Sequence, residues 1–360
     1  MSYASCKFPF LDKWKGAADK NSFLGFIDSV LSGYAQIVLS DNTLTGLLFV
    51  IACFVNGAGI GVATLVSAVT ATLAAKFIGV ADIQLRLGLF TFSAALAGIG
   101  VGALIFPGQG ISIALILLAI VSGIVCTGLT AGLSALLAPY KVPAFSLPFC
   151  IVLAIFIPSS IRFLNISAST FTLPYLNAAT AAGDVTAWTI SDFLGAIINN
   201  FAEVLFQANT MTGVLVLAGL LCSSRIDTLS AIIASCCSTL TAIALGLPNE
   251  LIMLGLTGYN AIFLFVTLFG RAFAMSIKSF IMAILASICS VFVYAGLGAW
   301  FAPLAIPVAA FPFAFIAIIL MLSKESFIGL KAVEPLYWGV PETISKMLKE
   351  QDNKSEKDNC

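Results

Sequence analysis

The sequence predicts an all-α polytopic membrane protein, with ten transmembrane helices in two inverted five-helix repeats, each preceded by a re-entrant half-helix. Three observations predict it. The 360 residues are 60% hydrophobic and 9% charged, with no histidine, whereas soluble domains carry about a quarter charged residues; the mean hydropathy is +1.07. Apolar runs of roughly 20 residues, the length an α-helix needs to cross the hydrocarbon, recur along the chain, and barrel-like alternation is absent. Finally, "YAQIVLSDNTLTGLLFV" (34–50) aligns without a gap on "FAEVLFQANTMTGVLVL" (201–217), an offset of 167 residues.

Each element follows in order. Residues 1–21 form a cytoplasmic N-terminal segment of mixed charge (Lys7, Asp12, Lys13, Lys15, Asp19, Lys20) without the apolar stretch of a cleaved signal. The first repeat, 22–165, opens with "FLGFIDSVLSGYAQIVLSD", apolar at helical spacing but interrupted by polar residues. Such a segment suits a half-length helix that dips into the protein and returns, tolerated at membrane depth where it lines a cavity. Spans follow near 45–58, 62–80, 87–106, 111–137 and 146–162. Residues 166–190, rich in Ser, Thr and Ala, make an extracellular connection, and the nearby Asn165-Ile166-Ser167 sequon is read as chance. The second repeat, 191–323, brings a second broken segment, "ISDFLGAIINNFAEVLFQAN", and spans near 212–223, 227–246, 251–268, 272–297 and 306–322. The cytoplasmic tail, 324–360, is charged and reads as solvated and partly disordered.

Orientation comes from the loop charges. Lys76, Arg86, Lys141, Arg225, Arg271 and Lys324 fall on one side, while the opposite loops near 59–61, 107–110, 247–250 and 298–305 carry no Lys or Arg; only Arg162 fits badly. This positive-inside asymmetry puts both termini in the cytoplasm, with the chain multi-pass in a cell membrane, plasma or inner. Five spans per repeat is an odd number, so the second copy inserts upside down, which places a substrate path at the repeat interface near the midplane.

Among candidate functional residues, Glu203 stands out as a carboxylate in a membrane-embedded segment, where acids are expensive and mark pathways. Its repeat mate is Gln36. The nine cysteines are odd in number and mostly inside apolar runs, which suits small core residues rather than disulfides or a metal site, and no cofactor is expected. Asp82, Arg86, Asp192, Arg225, Asp227 and Arg271 fall at span ends, where topology explains them. Thr72 and Thr239 are read as packing, and Gly98 with Gly102 as a close helix approach. No HExxH, paired-carboxylate or activated Ser or Cys constellation supports an enzyme, and no basic patch supports nucleic-acid binding.

The internal repeat continues well beyond its first block. "ATLAAKFIG" (71–79) meets "STLTAIALG" (238–246) and "GLFTFSAAL" (88–96) meets "GLTGYNAIF" (255–263); after a three-residue deletion "VPAFSLPF" (142–149) meets "IPVAAFPF" (306–313). With Gln36 ahead of Asn42-x-x-x-Gly46, Glu203 ahead of Asn209-x-x-x-Gly213, "CSTLTAIALG", and "VPE" at 340–342, these blocks resemble the urea transporter family over roughly residues 22–323. The resemblance implies a homotrimer in the lipid bilayer, one channel-like pore per protomer, passing urea down its gradient without ion coupling. It also implies a slot formed by Phe92 and Leu96 in one repeat and Tyr259 and Phe263 in the other, with Leu39 and Phe206 above and below. Gln36, Glu203 and Ser146 are the implied acceptors, and Ile37 and Val204 complete the candidate pore set. Urea is flat, with four N–H donors, so aromatic and aliphatic faces would select flatness while acceptors along the edge replace lost water.

Several positions depart from the family pattern. Leu39 stands in place of Phe, Phe263 in place of Leu, Tyr259 in place of Phe and Ser93 in place of Asn; Ala310 replaces the threonine expected to mirror Ser146. The last change removes a hydroxyl from one ladder, and it opens the substrate question to short amides, ammonia or a related small polar solute. The rival mechanism is a proton-coupled secondary transporter in which Glu203 loads and unloads a proton, disfavoured because its repeat mate is an amide.

Overall fold

The computed structural model describes residues 9–163 and 188–358. The 165–167 sequon and most of the predicted 166–190 connection lie outside the described residues. Helix α1 (Pro9–Lys20) packs on α2 (Ser22–Ala35). The side chain of Asn21 caps α2 by accepting from the backbone N–H groups of Phe23 and Leu24. α2 tightens into a 3-10 turn, Gln36–Val38, and stops at Leu39, whose φ of 58° is left-handed. The chain then bends by 83° into α3 (Thr43–Val55), which Asn42 caps in the same manner as Asn21. There follow α4 (Ala58–Phe77), the short α5 (Asp82–Arg86), α6 (Thr91–Gly100) with a π turn at Val101–Ile105, α7 (Ile113–Leu137) and α8 (Leu147–Phe163).

The order of elements then recurs. α9 (Ile190–Ala202) runs into the 3-10 turn Glu203–Leu205 and the left-handed Phe206 (φ 53°), and a 76° bend leads to α10 (Thr210–Ser223), capped by Asn209. α11 (Arg225–Ala244), α12 (Asn249–Met253), α13 (Tyr259–Leu268), α14 (Ile277–Phe301) and α15 (Phe311–Leu322) complete the second set, and the tail ends in α16 (Pro341–Asp358). The duplication extends to backbone dihedrals. Positive φ recurs at Leu39 and Phe206, Gly79 and Gly246, and Gly88 and Gly255, all 167 apart, then at Lys141 and Ala305 and at Phe145 and Ala309, 164 apart after the deletion. Two glycine pairs show why the sequence keeps this register. A Cβ at Gly46 or Gly213 would fall on the carbonyl oxygen of Leu31 or Ile198, so each span presses directly against its own half-helix; one at Gly88 or Gly255 would strike the backbone of that half-helix again.

α4, α7, α11 and α14 are long and apolar enough to cross a membrane, the two bent pairs could each serve as one span, and α6, α8, α13 and α15 are shorter apolar helices. The helices differ from the predicted spans at several ends, and the one expected at 306–322 begins at Phe311. The span expected at 251–268 is broken between α12 and α13 at Gly255 (φ 84°), and that at 87–106 begins at Thr91, after Gly88 (φ 70°). The span expected from 272 begins at Ile277, because residues 269–273 turn back and Phe273 bridges to Ala332 in the tail. The tail is correspondingly more ordered than its composition suggests: Ala274 N–H donates to Lys331 O and Val333 N–H to Ala272 O, at 2.8 and 2.9 Å.

The two repeats meet where the start of α3 lies against the end of α10. Thr45 Oγ1 donates to Gly219 O at 2.7 Å, Asn42 Nδ2 to Cys222 O at 3.0 Å, and Ser223 Oγ to Ser40 Oγ at 2.6 Å. These helices are therefore antiparallel neighbours, and the bend that carries Gln36 is tied to that contact through Ser40 and Asn42.

Candidate functional site

The two broken helices set the site. Gln36 is the C-cap of α2 and Glu203 the C-cap of α9, so each side chain sits at a helix end that carries partial negative charge and unshared carbonyls. Leu39 and Phe206, in the left-handed conformation, turn the chain before it can continue as helix. The turn at Gln36 packs on α6, which carries Phe92 and Leu96, and the turn at Glu203 packs on α13, which carries Tyr259 and Phe263. Each half-helix end is thus pressed against the helix bearing its own repeat's slot candidates.

A cavity of about 590 Å³ opens beside the first of these ends, lined among others by Gln36, Leu39 and Phe92, with Phe145 from the turn before α8. The Gln36 side chain lines this cavity without a hydrogen bond to the described residues. A chain of rings continues from the cavity wall. Phe145 meets Phe313 edge-on at 5.3 Å, Phe313 meets Phe263 at 5.3 Å, Phe263 meets Tyr259 at 6.4 Å with planes at 90°, and Tyr259 meets Phe206 at 6.3 Å. Phe149 adds a further edge contact, to Phe206 at 5.9 Å. Edge-to-face packing at these separations holds rings as rigid walls.

The candidates therefore fall into groups. Gln36, Leu39 and Phe92 share one cavity, while Phe206, Tyr259 and Phe263 form one ring chain, joined to the cavity through Phe313 and Phe145. Glu203 is only 6% exposed, and its carboxyl group makes no hydrogen bond to the described residues. Ser146 is buried, and its hydroxyl also has no partner. Leu96, Ile37 and Val204 lie in the packed core around these groups. Thr72 bonds Ala68 O and Thr91, and Thr239 receives Asn200 Nδ2, which is packing in both cases.

Sequence reasoning missed two features. Asp227 and Arg271 do not sit exposed at span ends: both are 1% exposed, and Arg271 Nη1 and Nη2 donate to the two carboxylate oxygens of Asp227, each at 2.7 Å. A two-pronged pair of this kind satisfies the charges that burial would otherwise strand, and Arg271 also lines the cavity. A turn-forming "FGRAF" between two apolar runs was the only signal in the sequence. The second feature is the tail, whose residues Glu334 to Leu336 and Trp338 to Val340 wall the cavity. Trp338 stacks on Phe145 at 6.0 Å, Lys141 donates to Glu334, and Glu342 accepts from Ser224 Oγ and from the N–H of Ile226 at the start of α11. That bond to Lys141 holds the Glu334 carboxyl below the usual carboxylate range and raises the Lys141 ammonium. The "VPE" stretch noted in the sequence is where this strap is anchored.

The model of one protein family, described as "Urea transporter", matches residues 27–325. The chain belongs to the urea transporter family. It is similar to "Urea transporter 1" of Ovis aries, with 24% identity over 348 residues covering 93% of this chain and 84% of the relative. The corresponding protein of Capra hircus shows 23% identity over the same shares, and that of Mus musculus 22% over 316 residues, covering 84% and 78%. Members of the urea transporter family are membrane transporters rather than enzymes. The family match spans both broken helices, both ring-bearing helices and the antiparallel α3–α10 contact.

Proposed function

We propose that this urea transporter family member passes urea passively, down its gradient, through a narrow slot between two inverted repeats. The observation that carries the reading is the pair of helices bent by 83° and 76°, ending at Gln36 and Glu203, neither of which spends its side chain on the protein. Urea's amide hydrogens would meet these acceptors at helix ends of negative polarity, which favour N–H donors and disfavour anions. The ring chain from Phe206 to Phe313 and the face of Phe92 would form the broad walls, admitting a flat solute edge-on and excluding a hydrated ion. Desolvation of urea is offset rung by rung only where an acceptor replaces water.

The antiparallel packing of α3 on α10 supports an inverted arrangement, and ten helices, counting the shorter apolar ones and one per bent pair, suit ten spans. In this reading both termini are cytoplasmic, so the 590 Å³ cavity under the tail is an inner vestibule, the protein sits in the plasma or inner membrane, and it assembles as a homotrimer with one pore per protomer. Ile37, Val204 and Leu96 shape the passage from the packed layer behind it.

The test is stopped-flow light scattering on proteoliposomes exposed to urea, with and without a pH gradient. Passive conduction predicts urea flux that saturates only at high concentration and ignores the proton gradient. Uphill accumulation driven by external acid would instead establish proton coupling through Glu203.

A further inference from the structure

The two repeats share a backbone but not their hydrogen bonding at one rung of the proposed slot. The residue before α8 that turns left-handed is Phe145 (φ 47°), and its repeat mate before α15 is Ala309 (φ 44°). In the second repeat the Ala309 carbonyl is already taken: Tyr259 Oη donates to it, and Asn260 Nδ2 lies 3.3 Å away on the same oxygen. Asn260 Oδ1 in turn accepts from Phe313 N–H at 3.1 Å. The next position, Ala310, has no hydroxyl and is fully buried. In the first repeat the corresponding positions are Phe92, which has no donor, and Ser93, whose buried hydroxyl has no partner among the described residues. No side chain among the described residues donates to the Phe145 carbonyl there, and the buried Ser146 hydroxyl is also unspent. Phe145 borders the cavity that Gln36 and Phe92 line.

Resting on the slot reading above, we propose that this rung has one open acceptor edge and one closed edge, that Tyr259 closes it, and that the chain therefore passes planar mono-amides such as acetamide about as well as urea. Urea carries an amino group on each side of its carbonyl. With one edge closed, one amino group exchanges water for the Phe145–Ser146 edge, and the other gives up water and receives nothing. Acetamide has nearly the same flat outline but a methyl group on one side, and a methyl against the ring of Tyr259 and the Cβ of Ala310 loses no hydrogen bond. A site discriminates strongly against an analogue lacking a donor only when a built acceptor is thereby left unpaired. Here the acceptor that would do so, the Ala309 carbonyl, is paired within the protein.

The experiment compares full-length wild type, Tyr259→Phe and Ala310→Ser in proteoliposomes, measuring urea and acetamide permeability by stopped-flow against empty liposomes. The expected wild-type acetamide permeability lies within about threefold of that for urea, and both variants raise the urea-to-acetamide ratio by about fivefold, the size of one hydrogen bond. Tyr259→Phe acts by removing one of the two donors on the Ala309 carbonyl, which opens one of its lone pairs beside Asn260 Nδ2, and Ala310→Ser by adding a hydroxyl beside it. If Tyr259→Phe fails to assemble, Ala310→Ser carries the test alone. Wild type that conducts urea while acetamide stays at the empty-liposome rate would overturn this proposal and leave urea conduction standing, as would an unchanged ratio in either assembled variant. Failure of both solutes to permeate would overturn the slot reading together with it.

Discussion

Glu203→Gln separates a permeation role from a structural one, because the two predict opposite changes. The substitution keeps the shape of the side chain and replaces one acceptor oxygen by an amino group. Glu203 is 6% exposed and its carboxyl group is bonded to nothing among the described residues, so the folded protein gains no hydrogen bond from that group and bears the burden of a buried, unpartnered acid. Neutral Gln should therefore leave thermal stability in detergent unchanged or slightly raised. Flux should fall. The rung loses one acceptor oxygen, and a hydrogen bond contributes about 1 kcal/mol net, so the rung weakens by about 1 kcal/mol. At roughly 1.4 kcal/mol per tenfold, that is about a fivefold loss of urea permeability. Stopped-flow permeability and a thermal melt on the same preparation give both numbers. Wild-type flux in the variant would refute the role assigned to the acid, and a lower melting point with unchanged specific flux would show that it holds the fold instead.

The buried Asp227–Arg271 pair gives a stability prediction: Arg271→Met leaves the Asp227 carboxylate unpaired in the interior and should destabilise by about 3–5 kcal/mol, while adding Asp227→Leu should recover most of that, as read by thermal unfolding in detergent. Glu342→Ala removes the acceptor for Ser224 Oγ and Ile226 N–H at the start of α11 and should cost about 1–2 kcal/mol; faster proteolysis between residues 331 and 358 is the companion readout. The Lys141–Glu334 contact fixes a pH window. A carboxyl held below its ordinary 4.5 contributes above that value and is lost as pH falls through the lowered one, while an ammonium raised above its ordinary 10.5 contributes below 10.5 and is lost as pH rises through the raised value. Protease resistance of the tail should therefore be flat from about pH 6 to 9 and fall only below about pH 4; a change near neutrality would show that another group governs the strap.

The broken helices were legible because their causes are local. The polar residues inside "FLGFIDSVLSGYAQIVLSD" and "ISDFLGAIINNFAEVLFQAN", and Asn42 and Asn209 as caps three residues after the turns, are statements about neighbours in sequence. The register of the duplication was equally legible, since backbone conformation follows residue type at Gly79, Gly88, Gly246 and Gly255. What the sequence could not show depends on contacts between residues far apart in the chain. Arg271 and Asp227 are 44 residues apart, and only the turn after α13 brings the guanidinium onto α11. The tail reads as solvated because half its residues are; it is held by a few others, Val333, Trp338, Val340 and Ile344, which are buried or pack on rings and have no periodicity to announce them.

Symmetry of backbone and asymmetry of chemistry have different origins here, and the difference bears on how a path can evolve within a duplicated fold. Backbone symmetry is enforced at every close approach: Gly46 and Gly213 each admit a carbonyl oxygen where a side chain would be, so neither half can drift without losing its bend. Nothing enforces symmetry of side chains that face an opening, because no partner in the protein depends on them. The positions that differ between the halves include Gln36 against Glu203, Leu39 against Phe206, Phe92 against Tyr259, Ser93 against Asn260 and Ser146 against Ala310. The donors of Tyr259 and Asn260 are paired internally, both with the Ala309 carbonyl. A buried donor must find an acceptor, and on the proposed slot reading the acceptor within reach is one that would otherwise face the solute. On this argument a hydroxyl gained on a slot-lining ring removes a rung rather than adding one, so the substrate range of such a fold follows from counting carbonyls left open, not polar side chains present.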